Sequence, residues 1–304
     1  MGLTKVADNV YVLIGRTNVG VVVLDHGECI VIDTGIDRDS GRKVLNVLKE
    51  TNLRVGAVVN THSHADHIGG NRIVFERTNA EVYAPNLERP FIEMPALEVL
   101  YLYGAYPPEV VRTHLVEAAG VPVRELSILV KEVSTLKVEE LPGHSLGMVG
   151  FGVEDVFFSA DSFFPTEILA KYKIPYHLHV QDAYKTLKKL IGEILKNYRT
   201  VVPSHGSILT VDQAIELIRT NADTVMSVRE SVLRNLKSNV ALEDLVKYVL
   251  RDLSQTLQTP INYLLNRSAI MSYVSWLLND GLVEMRIIEN KPVLISLIEA
   301  KNRR

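Results

Sequence analysis

The stretch Thr61-His62-Ser63-His64-Ala65-Asp66-His67-Ile68-Gly69-Gly70 carries the decisive information in this chain. His62, His64, Asp66 and His67 place four potential metal ligands in one short segment. Imidazole and carboxylate donors suit zinc and related divalent ions. A purely structural origin is hard to defend, because three histidines and an aspartate make a poor core and a pH-sensitive surface. With each residue type at a few per cent of usage, all four positions match by chance roughly once in a million sites.

The segment before the cluster, Val55-Gly56-Ala57-Val58-Val59-Asn60, is short and apolar with β-branched residues, and reads as a buried strand. The segment after it, Ile68 to Glu76, opens on Gly69-Gly70 and then shows helical spacing at Ile73 and Val74. The four residues therefore lie on a loop at the carboxyl end of a strand, the edge where open α/β sheets bind ligands. One loop seldom closes a metal site alone, so partners are expected at other strand ends. Three candidates follow in order. His144 lies in Leu141-Pro142-Gly143-His144-Ser145-Leu146-Gly147, behind an alternating run from Val133 to Glu139. Asp161 follows Phe157-Phe158-Ser159-Ala160, and His205 ends Val201-Val202-Pro203-Ser204-His205. Each sits beside small residues that permit a tight turn. Any one alone is more simply a satisfied polar residue; three in succession behind the first cluster form a set.

Together these motifs resemble the metallo-β-lactamase-fold hydrolase superfamily. The first loop is similar to that family's His-x-His-x-Asp-His signature, and His144 to its Pro-Gly-His motif. Asp161 is similar to its bridging acid and His205 to its final metal-binding histidine. The resemblance covers roughly residues 3–235. It implies an α/β chain folded as an αββα four-layer sandwich that holds two divalent ions, zinc foremost, with manganese or iron also fitting the donors. His62, His64 and His144 would hold one ion, Asp66, His67 and His205 the other, and Asp161 would bridge both. Neutral imidazoles with two carboxylates leave net positive charge on such a pair. That charge lowers the pKa of a bridging water and yields hydroxide at neutral pH. Ions about 3.5–4 Å apart also stabilise both the attacking and the leaving oxygen. Asp66 is then the catalytic group that orients or deprotonates the water. His64 stands where oxygen-reducing di-iron relatives usually carry Glu, so in this the chain resembles the hydrolytic branch. Ile32-Asp33-Thr34-Gly35 resembles the family's strand-end Asp-x-Gly, whose acid supports the metal loop without binding metal. The front of the chain agrees: Val10 to Ile14, Gly20 to Leu24 and Cys29 to Asp33 read as short strands, and Arg38 to Glu50 as an amphipathic helix.

At 304 residues and 47% hydrophobic content, the chain can build a large core and a second small domain. Its net charge of −3 and the lack of a basic block give weak support to an RNA partner. The single Cys29 excludes an intrachain disulfide and favours a reducing, cytoplasmic setting. Met1 to Asn9 lacks a basic stretch followed by an apolar one, so no signal peptide is expected. No apolar run reaches the length of a membrane span.

Two regions fall outside the shared pattern. Residues 86–120 form a proline-punctuated insertion whose last part, Glu109 to Ala119, reads as helical. Phe91, Tyr101, Tyr103 and Tyr106 make it aromatic. It is either a packed surface excursion or dimer contact, or a lid whose tyrosines line a substrate pocket. In the C-terminal part, Val211 to Leu236 reads as one or two helices. Leu242 to Leu253, Thr259 to Leu265 and Ser268 to Leu278 read as three more, the last capped by Ser268. Leu282 to Ile288 and Pro292 to Leu297 read as a hairpin. Three helices and a hairpin suggest a winged-helix-like module, similar to one carried by some lactamase-like endoribonucleases. Its would-be recognition segment, Arg267 to Asp280, has one Arg and one Asp, which favours a bracing role over phosphate binding. Residues 1–210 are expected to form the catalytic domain and 211–304 the C-terminal one.

His177 and His179, in Tyr176-His177-Leu178-His179-Val180-Gln181-Asp182, are further candidates for substrate contact, and Tyr172 and Tyr176 for oxyanion donors. His26 and His114 read as ordinary polar residues. The leading expectation is a dinuclear metallohydrolase cleaving an ester, thioester or phosphodiester in a small-molecule substrate, with a homodimer possible. A glyoxalase II-like thioesterase is its narrow form, although no glutathione-binding signature is visible. Asp161 is followed by Ser-Phe-Phe, which departs from the tyrosine of lactonase relatives. Two other classes stay open: a mononuclear iron persulfide dioxygenase, and a nucleic-acid or protein adaptor acting through the C-terminal module.

Overall fold

Short apolar runs rich in valine and isoleucine set the strands, and the computed structural model, which describes residues 2–236 and 239–297, shows their order. The first sheet takes β1 (Thr4–Lys5), β2 (Val10–Leu13), β3 (Val19–Val23), β4 (Glu28–Ile32), β5 (Arg54–Val59), β6 (Glu81–Ala84) and β7 (Arg124–Glu125) in sequence order. β1 to β4 pair antiparallel, and β4 to β7 parallel. The second sheet comprises β8 (Lys137–Glu140), β9 (Val149–Val153), β10 (Val156–Ala160), β11 (Thr200–Pro203) and β12 (Leu209–Thr210), in the order β12-β11-β10-β9-β8. Only β10 and β11 are parallel there.

Helices α1 (Arg38–Glu50), α2 (Ala65–Ile68) and α3 (Asn71–Thr78) follow β4 and β5. α4 (Arg89–Glu93) and α5 (Ala96–Tyr103) lie in the insertion, and α6 (Leu126–Glu132) follows β7. α7 (Thr166–Tyr172), α8 (Val180–Lys189) and α9 (Val211–Arg234) complete the second half. The two-residue side-chain period of a strand assigns the layers. Ile30, Ile32, Ala57 and Val59 pack between the sheets with Val149, Phe151, Phe158 and Val202. Their neighbours Cys29, Val31 and Val58 pack the other way, with Val44, Val47 and Leu48 of α1. On the far side, Phe157 and Val201 meet Leu187 of α8 and Ala214 and Ile218 of α9. The result is the expected αββα sandwich. Burying the apolar side of each layer supplies roughly 25 cal/mol per Å², the main stabilising term.

The C-terminal module is separate and mostly helical. α10 (Leu242–Asp252) and α11 (Pro260–Asn279) precede the hairpin of β14 (Val283–Ile288) and β15 (Lys291–Ser296), and β13 (Val240–Ala241) adds a third strand in the order β13-β15-β14. α9 is rooted in both cores: Ala214 and Ile218 pack on the second sheet, while Val225, Val228 and Val232 join Leu245, Val249, Tyr273 and Trp276. Its start is fixed by a capping box between Thr210 and Gln213.

Three local expectations need correction. Thr259–Leu265 and Ser268–Leu278 are one continuous helix, α11, capped by Thr259 with Pro260 at its first turn. No glycine or proline separates them, and Ile261, Ala269, Ile270, Tyr273, Val274 and Leu277 are all buried. Glu109 to Ala119 forms only a 3-10 turn at Glu109–Val111, consistent with the weak helix preference of β-branched Val110, Val111 and Thr113. The run from Val133 becomes a strand only at Lys137, after α6. The stretch 298–304 of the expected second domain lies outside the described residues. Among the described residues, no helix is long and apolar enough to cross a membrane.

Candidate metal centre

Each ligand-type side chain leaves the carboxyl end of a strand, where the two sheets open together. β5 delivers Thr61, His62 and His64, and the one-turn α2 carries Asp66 and His67. Gly69 allows this loop to dock, since a Cβ there would lie 2.0 Å from the Ile36 carbonyl oxygen. His144 sits in the turn before β9. Gly143, at φ +128°, lets that turn pack on α8, where a Cβ would be 2.1 Å from Ala183 N. Asp161 follows β10 directly. A register shift between Phe158 and Ala160, with Ala160 at φ +50°, turns it towards the histidines. His205 follows β11.

Two donor groups result: His62, His64 and His144, and Asp66, His67, Asp161 and His205, with the ligand atoms of each within 4.8 Å of one another. In the first, His64 Nδ1 lies 3.1 Å from His62 Nε2 and 2.8 Å from His144 Nε2. In the second, His205 Nε2 lies 3.4 Å from both Asp66 Oδ2 and Asp161 Oδ2. Asp161 spans the two groups, with Oδ2 3.4 Å from His144 Nε2 and Oδ1 3.4 Å from His67 Nε2.

The outer nitrogens of His62, His67, His144 and His205 are held as metal ligands require. His67 Nδ1 bonds Asp33 Oδ2 at 2.8 Å, His144 Nδ1 bonds the Tyr176 carbonyl at 2.9 Å, and His205 Nδ1 bonds the Arg16 carbonyl at 2.6 Å. His62 Nδ1 meets Thr61 Oγ1 at 3.0 Å. Asp33 accepts from Thr61 N and Thr61 Oγ1 as well, so the expected supporting acid is in place. His67 Nε2 and Asp161 Oδ1 are buried with no hydrogen-bond partner among the described residues. Polar atoms so placed are costly unless a ligand satisfies them. This donor set fits a pair of divalent cations.

The electrostatics agree. Burial and the neighbouring imidazoles hold His62 and His144 well below the usual histidine pKa, in the neutral form that binds metal. Burial opposes charge on His67 and His205 too. There the carboxylates win: Asp66, Asp161 and Asp33 raise His67 well above its usual value, and Asp161 and Asp66 push His205 up to about 11. Asp66 falls to about 2, because His67 and His205 outweigh its burial. The second group is thus a strong attractor of positive charge, which divalent cations satisfy while displacing the imidazole protons.

Of the other candidates, His177 is buried beside His144 and Phe164, with ring centroids 5.8 Å from each. His179 instead caps α8 and pairs with Asp182 at 2.9 Å. Tyr101 Oη bonds Tyr176 Oη at 3.1 Å, and the Tyr176 ring packs 5.6 Å from His64. Tyr103 and Tyr106 are 43% and 80% exposed. Tyr172 is exposed on α7. Sequence reading missed three residues. Asn18 Nδ2 holds the His205 turn through the carbonyls of Pro203 and Gly206. Glu98, buried in α5, lies 3.8 Å from His64 Nε2, and burial with the nearby carboxylates Asp66 and Glu88 raises its pKa well above the usual range. Glu88 is buried against both ligand loops. The only signal of Glu98 was an acid in an apolar segment, and Glu88, between Asn86 and Arg89, gave none.

Comparison with known proteins agrees with this geometry. Hydroxyacylglutathione hydrolase of Methylobacillus flagellatus is 27% identical over 139 residues, 46% of this chain and 44% of that protein. The chain thus spans less than half of that relative's length. The enzyme of the same name from Shewanella pealeana is 25% identical over 243 residues, 75% of this chain and 81% of its own. A metallo-beta-lactamase family protein from Thermus thermophilus shares the fold, with a TM-score of 0.67 at 17% identity over 95% of this chain and 98% of that one. The family model for the metallo-beta-lactamase superfamily matches residues 13–205. Since that match takes in more than half of the chain and every ligand-type residue named above, the chain belongs to the metallo-beta-lactamase superfamily.

Proposed function

We propose that the chain is a dinuclear metallohydrolase in which His62, His64 and His144 hold one divalent ion, Asp66, His67 and His205 hold the other, and Asp161 bridges them. The observation that carries this reading is Asp161, whose two oxygens face a histidine of each donor group. The ions, zinc foremost, supply the charge that makes a water nucleophilic at neutral pH and stabilises developing oxyanions. The chain's own residues do the rest. Asp66, ionised at neutral pH and partly open to solvent, is placed to orient that water. Asp33, Thr61 and the Arg16 and Tyr176 carbonyls fix the histidine tautomers. Tyr101 and Tyr176, joined through their hydroxyls, border the first site and shape the substrate end of the pocket. His177 packs behind His144, with its Nδ1 lacking a hydrogen-bond partner among the described residues.

The similarity to hydroxyacylglutathione hydrolases supports an acyl thioester or ester as substrate class. Residues 1–210 are taken as the catalytic unit, and the described residues beyond 210 as carrying a winged-helix-like module that braces it. Ile261, Leu264 and Leu265 of α11 pack with Val99 and Leu102 of α5, so module and insertion share one apolar cluster. The pairing of Arg286 with Glu284 on the hairpin leaves little charge there for phosphate. The buried thiol of Cys29 fits a cytoplasmic setting.

Elemental analysis of protein purified without added metal tests the reading, alongside thioester, lactone and bis-p-nitrophenyl phosphate hydrolysis. Two divalent ions per chain with thioester or ester cleavage are expected. One iron per chain with oxygen uptake and no hydrolysis would overturn it.

A further inference from the structure

Glu88 stands at the start of α4, buried in the wall of the site. Its Oε2 accepts from Ser63 N (3.0 Å) and Ser63 Oγ (2.6 Å), and its Oε1 from Ser145 Oγ (2.7 Å) and Gly147 N (2.6 Å). Ser63 lies between His62 and His64, and Ser145 follows His144. One carboxylate therefore ties the two loops that bear the three histidines of the first donor group. We propose that Glu88 is a positioning residue for the first metal site, holding His62 and His64 in register with His144. This rests on the two-site reading above.

The chemistry of the four donors requires a carboxylate. Each oxygen faces a backbone N–H, a group that can only donate. Glutamine offers one oxygen and one NH2, so in either orientation its NH2 meets the N–H of Ser63 or Gly147. The serine hydroxyls can rotate to accept; the backbone groups cannot. Aspartate keeps both acceptors but is one methylene too short to span both loops. Charge adds to position. The first donor group is three imidazoles without a carboxylate, so an anion beside its loops complements a bound cation. Groups that orient metal ligands typically contribute about 10–100-fold to metal affinity.

The test isolates each site. His205→Ala weakens the second site and leaves the first, and His144→Ala does the reverse. Cobalt(II) binding, followed by visible d–d absorption against a competing chelator, is measured for each with and without Glu88→Gln, and unfolding of each metal-free protein is recorded. Glu88→Gln is expected to weaken cobalt about 10–100-fold in the His205→Ala background and to leave it unchanged in the His144→Ala background. If Glu88→Gln does not fold, Ser63→Ala and Ser145→Ala, which each remove one donor, should give the same site-selective loss at smaller size. Equal weakening in both backgrounds would make Glu88 merely structural, and no weakening in either would refute the clamp. Wild-type protein that binds no cobalt would overturn the two-site reading itself.

Discussion

Replacing Asp33 by asparagine exchanges one buried oxygen for an NH2 and strikes at the tautomer of His67. Asp33 Oδ1 accepts from Thr61 N at 2.9 Å, so the amide oxygen must stay on that side. The NH2 then takes the place of Oδ2, facing His67 Nδ1 and Thr61 Oγ1, each 2.8 Å from it in the native protein. Thr61 can turn its hydroxyl to accept. His67 can accept only by moving its proton from Nδ1 to Nε2, the atom that faces Asp161 and the second site. The variant must either bury two opposed donors or protonate its own metal-binding nitrogen. Losing a charge-assisted hydrogen bond of this kind costs about 1.5–3 kcal/mol, which corresponds to about 10–100-fold in affinity. The weakened ion should be the one His67 holds. Competitive metal titration of Asp33→Asn should therefore show one equivalent near wild-type affinity and one about 10–100-fold weaker, with hydrolase activity recovered at raised metal concentration. Two equivalents at unchanged affinity would refute the tautomer argument.

Three further outcomes are expected. Burial, with a smaller contribution from Glu28, pushes the Cys29 thiol up to about 12, against 9.0 unperturbed. The folded chain keeps a proton that the unfolded chain loses, so this stability is whole below pH 9 and drains away as pH rises towards 12. Up to about 4 kcal/mol is involved; alkaline denaturant melts of wild type and Cys29→Ala should differ by that slope, and iodoacetamide at pH 8 should leave the native thiol unmodified. Tyr273 is fully buried with no hydrogen-bond partner for Oη among the described residues, so Tyr273→Phe should stabilise the C-terminal module by about 1 kcal/mol in denaturant melts; a loss of stability would reveal a partner. Gly143→Ala places a methyl in the backbone of α8 at a positive φ and should cost about 2–4 kcal/mol and weaken metal binding together, by calorimetry and titration.

The candidate metal ligands could be picked out because their chemistry is local. His62, His64, Asp66 and His67 fall in one segment, and His144, Asp161 and His205 each follow an apolar strand. The strands were legible because period-two burial in β4 and β5 divides Ile30, Ile32 and Val59 from Val31 and Val58. Glu88 and Asn18 were not legible, because what they do depends on the docking of distant loops. Asn18 bonds Pro203 and Gly206 from 185 and 188 residues away. The break expected in α11 was wrong for a related reason. Ser268 is a good cap in isolation, but tertiary burial of the face through Ala269, Ile270 and Tyr273 outweighs the preference of one residue.

The same distinction explains the proposed bracing role of the C-terminal module. α11 is 20 residues long and carries one charged residue, Arg267, and its composition alone suits either a core or an interface. Its contacts tie it to the catalytic unit. Ser272 Oγ accepts from Val180 N at 2.7 Å, at the end of the segment that runs past the first site. Within that segment, Leu178 N bonds the His144 carbonyl, His179 N bonds the Gly143 carbonyl, and the Tyr176 carbonyl accepts from His144 Nδ1. Two backbone bonds and one ring bond thus hold His144 against a strip of chain that α11 anchors from behind. Ser272→Ala should leave the module folded and free that strip. The expected signature is a faster amide exchange at Val180 and Leu178 with a modest loss of first-site affinity. Normal exchange there would mean that the packing of α8 holds the strip without help from α11.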